Sequence, residues 1–219
     1  MKPCIPCAVL LALTPVVIRA EGFADFYFGA ALTHETTVRF TDETTFPSTF
    51  SRDDADIDPS FDMGLRFGYW IDPFPYVGFA FDTSWFRAEG DAVRDNDVVP
   101  FSFLFMVRAT IDKSPEFPYG RFQPYAGVGP GIFFYDTEYF SNTAGTPPVT
   151  DSDASIGLDT RAGFTFLIHR NFGLFLEYRY TYFRAYADND DEDFFFGSPF
   201  EAAASFNTHH FYGGFTFRF

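Results

Sequence analysis

Histidine is the residue type in this chain best suited to metal binding or proton transfer, and the sequence contains four. His209 and His210 are adjacent, so within a strand they point to opposite faces and cannot share one site. His34 and His169 fall at the ends of predicted strands or turns. The sequence therefore predicts no metal site, no catalytic residue and no cofactor.

Acidic residues grouped between the apolar segments are the second candidate for chemistry. The largest group contains Asp188, Asp190, Asp191, Glu192 and Asp193, and an earlier group contains Asp53, Asp54, Asp56 and Asp58. Carboxylates suit Ca²⁺, but the spacing in the largest group lacks the glycine and final glutamate of an EF-hand loop. A solvated, mutually repelling loop is the favoured interpretation. Loose bridging to lipopolysaccharide phosphates by divalent cations is an intermediate alternative.

A third set of charged residues alternates with apolar residues inside the hydrophobic segments. Its members are Asp62, Arg66, Asp82, Arg108, Asp159, Arg161, Glu177, Arg179 and Arg218. In a wide barrel such side chains would line a selective pore, whereas the interior of an eight-stranded barrel is just wide enough for side chains to fill. The favoured interpretation is a structural cluster of salt bridges that plugs the lumen, and a conducting channel is the alternative.

Four of these charges are predicted to meet across the tight turn at 169–171. Residues that pair across the turn must share a face of the sheet. Few registers satisfy this condition, and two of them bring the four charges into contact. One places Arg161 opposite Glu177 and Asp159 opposite Arg179. The other puts like charges opposite and makes the same partners diagonal neighbours, still within reach of long side chains.

The stretch FGLFLEYRYTYF at 172–183 shows the pattern that positions these charges. Leu174 and Leu176 fall on one face of a strand, and Glu177 and Arg179 fall on the other. Similar alternation occurs in seven other segments: Asp25–Thr33, Ser60–Ile71, Tyr76–Arg87, Val98–Ile111, Phe122–Thr137, Ile156–Ile168 and Thr208–Phe219. Long loops after the odd-numbered segments alternate with shorter turns. The pattern predicts an all-β fold, an eight-stranded antiparallel up-and-down transmembrane β-barrel.

A soluble lipocalin-like barrel with an apolar core is the alternative that alternation alone permits. Its outer face should carry lysine and glutamate, but the polar faces here carry glycine, aspartate, arginine and threonine, and Lys113 is the single lysine after residue 20. Tyrosine and tryptophan lie towards strand ends, where interfacial girdles form: Tyr69, Tyr76, Trp85, Tyr178 and Tyr182. The membrane barrel is therefore favoured.

The N-terminal segment is predicted to be a secretory signal peptide at 1–20, followed by one barrel domain at 21–219. Lys2 supplies the positive start, the apolar core runs from Ala8 to Ile18, and Ala20 is a small residue before the cleavage site. Both cysteines lie within the first seven residues. The net charge of −15 argues against a nucleic-acid partner, because phosphate binding needs a basic surface.

Two runs and the last strand carry a resemblance to a known family. QPYAGVGPGIFF at 123–134, NFGLFLEYRYTYF at 171–183 and the ending Arg218-Phe219 resemble the small eight-stranded outer-membrane barrels that include the membrane domain of OmpA and porin-family β-barrels. The resemblance implies a monomer in the bacterial outer membrane, surrounded by lipid and lipopolysaccharide. It also implies that Phe219 acts as the terminal aromatic that the barrel assembly machinery recognises.

The resemblance implies a fold more specifically than a function. The favoured prediction is a non-enzymatic protein that supports envelope integrity and offers acidic extracellular loops for surface interaction or adhesion. A narrow porin-like channel for small solutes or ions is the alternative. A lipid A-modifying enzyme is less favoured, because no histidine is followed by serine two residues later, as in the His-x-Ser pair of outer-membrane deacylases.

Overall fold

The computed structural model describes residues 20–42, 49–52, 57–72, 74–90, 93–139, 149–188 and 200–219. These ranges contain ten strands: β1 (Ala20–Asp42), β2 (Thr49–Arg52), β3 (Ile57–Asp58), β4 (Ser60–Ile71), β5 (Phe74–Gly90), β6 (Val93–Arg108), β7 (Phe122–Tyr139), β8 (Val149–His169), β9 (Phe172–Asp188) and β10 (Phe200–Arg218). No helix in the described ranges is long and apolar enough to cross a membrane. The signal peptide stays a prediction, since residues 1–19 lie outside the described ranges.

The eight long strands form a closed ring. Each pairs antiparallel with the next long strand along the chain, and β10 pairs with β1. Closure leaves no strand edge unpaired in lipid, where a free backbone group would have no water to bind. The predicted eight-stranded up-and-down barrel is confirmed. The two short strands were not predicted: β2 pairs with β1, and β3 pairs with β5.

Side chains alternate strictly between the two faces of the barrel wall. On β4, Leu65 is 42% exposed to the outside, whereas its neighbour Arg66 is 1% exposed inside. On β6, Phe103 is 57% exposed and Leu104 is fully buried. Apolar side chains cover the outside, and most charged side chains of the wall lie inside. This is the arrangement of a protein whose outer surface meets hydrocarbon.

Several predicted strand ends were wrong. At the end of the barrel with the longer connections, β5 runs to Gly90 and β6 begins at Val93, so most of the loop predicted at 88–97 is strand. Likewise, β1 runs to Asp42, which places His34 within the strand rather than at its end. Backbone pairing continues where apolar alternation has stopped, because the alternation depends on lipid and the pairing does not. The acidic residues at 53, 54, 56 and 190–193 lie outside the described ranges.

The connection between β6 and β7 folds back under the barrel. β6 ends at Arg108, three residues before the predicted end, although Ile111 still forms an isolated bridge with Phe122. Asp112 and Gly120 have positive φ angles of 58° and 83°, so both ends of the connection turn sharply. This connection lies at the end with the short turns, which is the periplasmic end in outer-membrane barrels. Phe117 is 7% exposed and packs into the mouth there.

Candidate functional site: the lumen of the barrel

Arg161 is the centre of the polar lumen. Its Nη1 and Nη2 donate to the two carboxylate oxygens of Asp82 at 2.7 and 2.6 Å. Its Nε and Nη2 donate to Asp159 at 3.0 and 2.8 Å. A third carboxylate, Glu177, accepts from Nη1 at 3.3 Å. All four side chains are fully buried, so one guanidinium neutralises parts of three carboxylates away from water.

Two further arginines extend this network to neighbouring strands. Arg179 lies 2.8 Å from Asp159 and donates to the Ser84 hydroxyl at 2.7 Å. Arg66 donates to Asp25 at 2.8 Å and also to Glu177. The contacts predicted between β8 and β9 are therefore present: Asp159 meets Arg179, and Glu177 meets Arg161 at 3.3 Å.

The register between β8 and β9 is the second of the two that the sequence left open. Arg161 lies directly opposite Arg179, and the oppositely charged partners are diagonal. A bulge between Leu167 and His169 sets this register. At the turn, His169 pairs with Phe172. Without a bulge, the pairs that follow would join residues from opposite faces of the sheet. The extra residue in β8 shifts the register by one, so that residues on the same face pair again.

Buried tyrosines and a histidine complete the network, and sequence reasoning missed their role. Tyr27 donates to Asp82 at 2.8 Å, and Tyr125 donates to Glu177 at 2.7 Å. Asp62 is contacted by the Tyr212 hydroxyl and, at 2.6 Å, by Nδ1 of His210. These residues alternate with apolar ones in the same way as the charged residues do. That alternation was the available signal, but tyrosine also suits a lipid-facing girdle.

Carboxylates outnumber arginines in this network. Asp25, Asp62, Asp82, Asp159 and Glu177 face Arg66, Arg161 and Arg179. This excess of negative charge predicts that the loss of a carboxylate costs less stability than the loss of an arginine.

One set of contacts in the lumen resembles a catalytic triad. Thr181 is in the position of the nucleophile, His210 in that of the base and Asp62 in that of the orienting carboxylate. Nε2 of His210 lies 3.1 Å from the Thr181 hydroxyl, and Nδ1 lies 2.6 Å from Asp62. All three residues are fully buried, and the Phe86 ring packs edge-on against the imidazole at 5.0 Å. A substrate cannot reach this hydroxyl, so the arrangement offers no evidence of catalysis. Among the described residues, no group of three or more metal-binding side chains could hold a metal ion.

An aromatic layer lies inside the lumen at the end of the barrel with the longer connections. Phe183 stacks between Phe133 and Phe206, with ring centroids 4.6 and 4.9 Å away and nearly parallel planes. Ala31, Phe86, Val98 and Tyr135 complete the buried cluster around them. Rings at these distances are in direct contact, so no water lies between them.

A second apolar layer lies below the charge network, towards the periplasm. Its larger side chains are Phe23, Trp70, Leu104, Met106 and Phe175. Below it, Arg108 pairs with Glu21, donates to Gln123 at 3.0 Å and stacks on Trp70 at 4.4 Å.

The nine predicted charges are therefore divided. Seven belong to the central network, whereas Arg108 and Arg218 lie at the periplasmic mouth, where the β6–β7 connection crosses the barrel. There Tyr119 donates to Asp72 at 3.3 Å, and burial together with that carboxylate raises the pKa of the phenol, which keeps it a donor.

The pattern of lipid-facing outside and packed polar inside is shared with a known family. The family model described as outer membrane protein beta-barrel domain matches residues 5–219. The chain belongs to this family. As a member of the outer membrane β-barrel family, it is assigned to the bacterial outer membrane.

Solved structures of other outer-membrane barrels share the fold of this family member at low sequence identity. OprG from Pseudomonas aeruginosa superposes with a TM-score of 0.65 and 16% identity, over 92% of this chain and 97% of OprG. AlkL, determined in lipid bilayers, superposes with a TM-score of 0.54 and 14% identity, over 100% of this chain and 97% of AlkL. Neisserial surface protein A superposes with a TM-score of 0.50 and 15% identity, over 89% of this chain and 97% of that protein. No curated protein matches the sequence.

Proposed function

We propose that this barrel is a closed, non-conducting and non-enzymatic protein of the outer membrane. It supports the envelope and presents its acidic loops for surface interaction or adhesion. The observation that supports this function is the filled lumen, in which the buried network around Arg161 lies between an aromatic layer and an apolar layer.

The energetics of the network favour a closed lumen over the alternative narrow channel. A solute that crossed the centre would have to separate Arg161 from Asp82 or Asp159, and each of these side chains is fully buried. Breaking one partner away from a buried ion pair costs about 3–5 kcal/mol. The extracellular stack around Phe183 would have to open as well.

Planar-bilayer recording on refolded protein tests the closed lumen. Before recording, a gel of unboiled against boiled samples should show that the barrel is folded. We expect no reproducible conductance steps from the wild-type protein. Steps whose ion selectivity changes on substituting Arg179→Gln would come from the lumen, since this side chain is fully buried there, and they would establish the channel instead.

The surface role is supported by the acidic composition of the chain, with 30 acidic against 15 basic residues. A variant with Asp190, Asp191 and Asp193 changed to asparagine separates this role from envelope support. In a strain that lacks the protein, both the wild type and this variant should restore resistance to detergent. Only the wild type should restore binding to a positively charged surface such as polylysine. Equal binding by both would contradict a role for the acidic loop.

A further inference from the structure

A cavity of about 290 Å³ lies at the periplasmic mouth of the barrel. The β6–β7 connection contributes Glu116, Phe117 and Tyr119 to its lining, the β8–β9 turn contributes Arg170, and the end of the last strand contributes Arg218 and Phe219. The volume is near the lower end of the range for small-molecule sites, about 300–1,000 Å³. It is large enough for a small polar group, so the charges that line it decide what it can bind.

Arg218 is a buried cation without a polar partner for its side chain. The residue is 6% exposed, and its Nε and Nη1 atoms are buried and form no hydrogen bond. Its guanidinium lies over the Phe23 ring, 5.1 Å from the centroid. The backbone is held in place by Asn171, whose amide donates to the Arg218 carbonyl at 2.7 Å and whose carbonyl accepts from the Arg218 N–H at 3.0 Å.

The other buried arginines of the described lumen each have a carboxylate partner, although Nε and Nη2 of Arg179 also form no hydrogen bond. Arg66, Arg161 and Arg179 each form ion pairs with carboxylates of the central network. Arg108, at the periplasmic mouth, forms an ion pair with Glu21. Burying an unpaired charge is costly, and a buried polar group without a partner calls for an explanation such as a bound ion or ligand.

The position of the cavity indicates which anion is available. Phe217 and Phe219 are on the outer face, 51% and 76% exposed, and they end the lipid-facing side of β10. The cavity is therefore level with the border between acyl chains and headgroups. Two acidic residues also line the cavity: Glu21 is paired with Arg108, and Glu116, like Arg170 at the rim, is exposed to water, where salt screens its charge.

We propose that this cavity binds the phosphate of a phospholipid headgroup, with Arg218 supplying the neutralising charge. Guanidinium and phosphate form charge-assisted hydrogen bonds that are stronger than those between neutral groups. The cavity that Arg218 lines gives the guanidinium room to meet the phosphate.

Stability of the refolded barrel in dodecyl maltoside micelles tests this site. Urea titrations are compared with and without dioleoylphosphatidylethanolamine, and with dioleoylglycerol, which has the same acyl chains but no phosphate. At a phospholipid concentration about ten times the dissociation constant, the ratio of folded to unfolded protein should rise about tenfold. Dioleoylglycerol should leave the ratio unchanged. Equal stabilisation by both would overturn the proposal, because the chains rather than the phosphate would be bound.

Two variants with the same change of charge locate the effect. Arg218→Gln should lose the tenfold response, yet be as stable as the wild type or more stable in pure detergent, because an unpaired buried charge has been removed. Arg184→Gln, at the opposite end of the barrel, should keep the full response. An undiminished response in Arg218→Gln would overturn the site. Free phosphoethanolamine should give no response at the same concentration, and an equal response to it would show a site for soluble anions rather than for lipid.

Discussion

Arg161 and Arg179 lie directly opposite each other on neighbouring strands inside the barrel, although both side chains are cations. Like charges in this position normally destabilise a sheet. Asp159 lies between them, with its carboxylate 2.8 Å from a nitrogen of each guanidinium. The pair is thus held by a shared anion, and the stability of the lumen depends on a network rather than on separate ion pairs.

The first prediction concerns the order of costs within this network. Arg161→Gln should destabilise the barrel by about 3–5 kcal/mol, because three carboxylates lose a partner. Glu177→Gln should cost less, because carboxylates are already in excess. Urea unfolding of both variants in detergent micelles measures the difference. The reverse order would show that the excess negative charge is neutralised in some other way.

The double variant of the same two residues tests whether they act together. Arg161→Gln combined with Glu177→Gln should cost less than the sum of the single changes, with a coupling of about 0.5–3 kcal/mol. The expected coupling follows from the contact of 3.3 Å between the two side chains. Additive losses would mean that the contact does not contribute to stability.

A second prediction compares two inward-facing glycines of β7. A methyl group at Gly129 would collide with the backbone oxygen of Phe103, which cannot move without disturbing the neighbouring strand. At Gly127 the nearest atom would be Cγ of Met106, at 3.4 Å, the middle of a flexible side chain. Gly129→Ala should therefore lower the unfolding free energy by about 1–3 kcal/mol, and Gly127→Ala by less. Equal unfolding midpoints in urea would contradict this account.

A third prediction tests the assignment of faces. Leu65 faces lipid near the middle of β4, so Leu65→Arg should cost about 2–4 kcal/mol. Thr110→Arg is the matched change in the periplasmic connection, where water can solvate the new charge, and it should be close to neutral. Refolding titrations into lipid vesicles measure both. A larger cost at Thr110 would mean that the connection, rather than the wall, faces hydrocarbon.

A fourth prediction concerns Phe219 and assembly in the cell. The residue is 76% exposed, whereas its backbone exchanges two hydrogen bonds with Gly22, at 2.9 and 3.0 Å. Phe219→Ala keeps those bonds and removes only the ring. We expect less folded barrel in the outer membrane of cells and unchanged refolding in detergent. Equal losses in both assays would indicate a packing role instead of recognition by the assembly machinery.

Faces could be predicted from the sequence, and strand ends could not. Alternation of apolar and polar residues placed Leu65 outside and Arg66 inside, since the burial of each face repeats every two residues. The pattern is produced by lipid, so it disappears where strands leave the membrane, and β5 and β6 continued beyond it. The end of β6 at Arg108 was missed because Ala109 and Thr110 still alternate in sequence.

The partners in the lumen were harder to predict than its charges. The condition that paired residues share a face left two registers open for the charged residues of β8 and β9. A local bulge before His169 selects one of them. His210 alternates with the outward-facing Phe211, but its partner Asp62 lies on a strand far away in sequence. Which inward side chains meet across a barrel depends on strand stagger, and composition does not reveal it.

The seam between β1 and β10 has a consequence for the order of events during biogenesis. β1 pairs with β4 on one edge and with β10, the last strand, on the other, where Phe23 pairs with Arg218. During secretion every shorter length of the chain carries two open strand edges, which hydrocarbon does not accept and which invite aggregation. We therefore expect insertion to follow the secretion of β10, because only then can β1 pair along both of its edges.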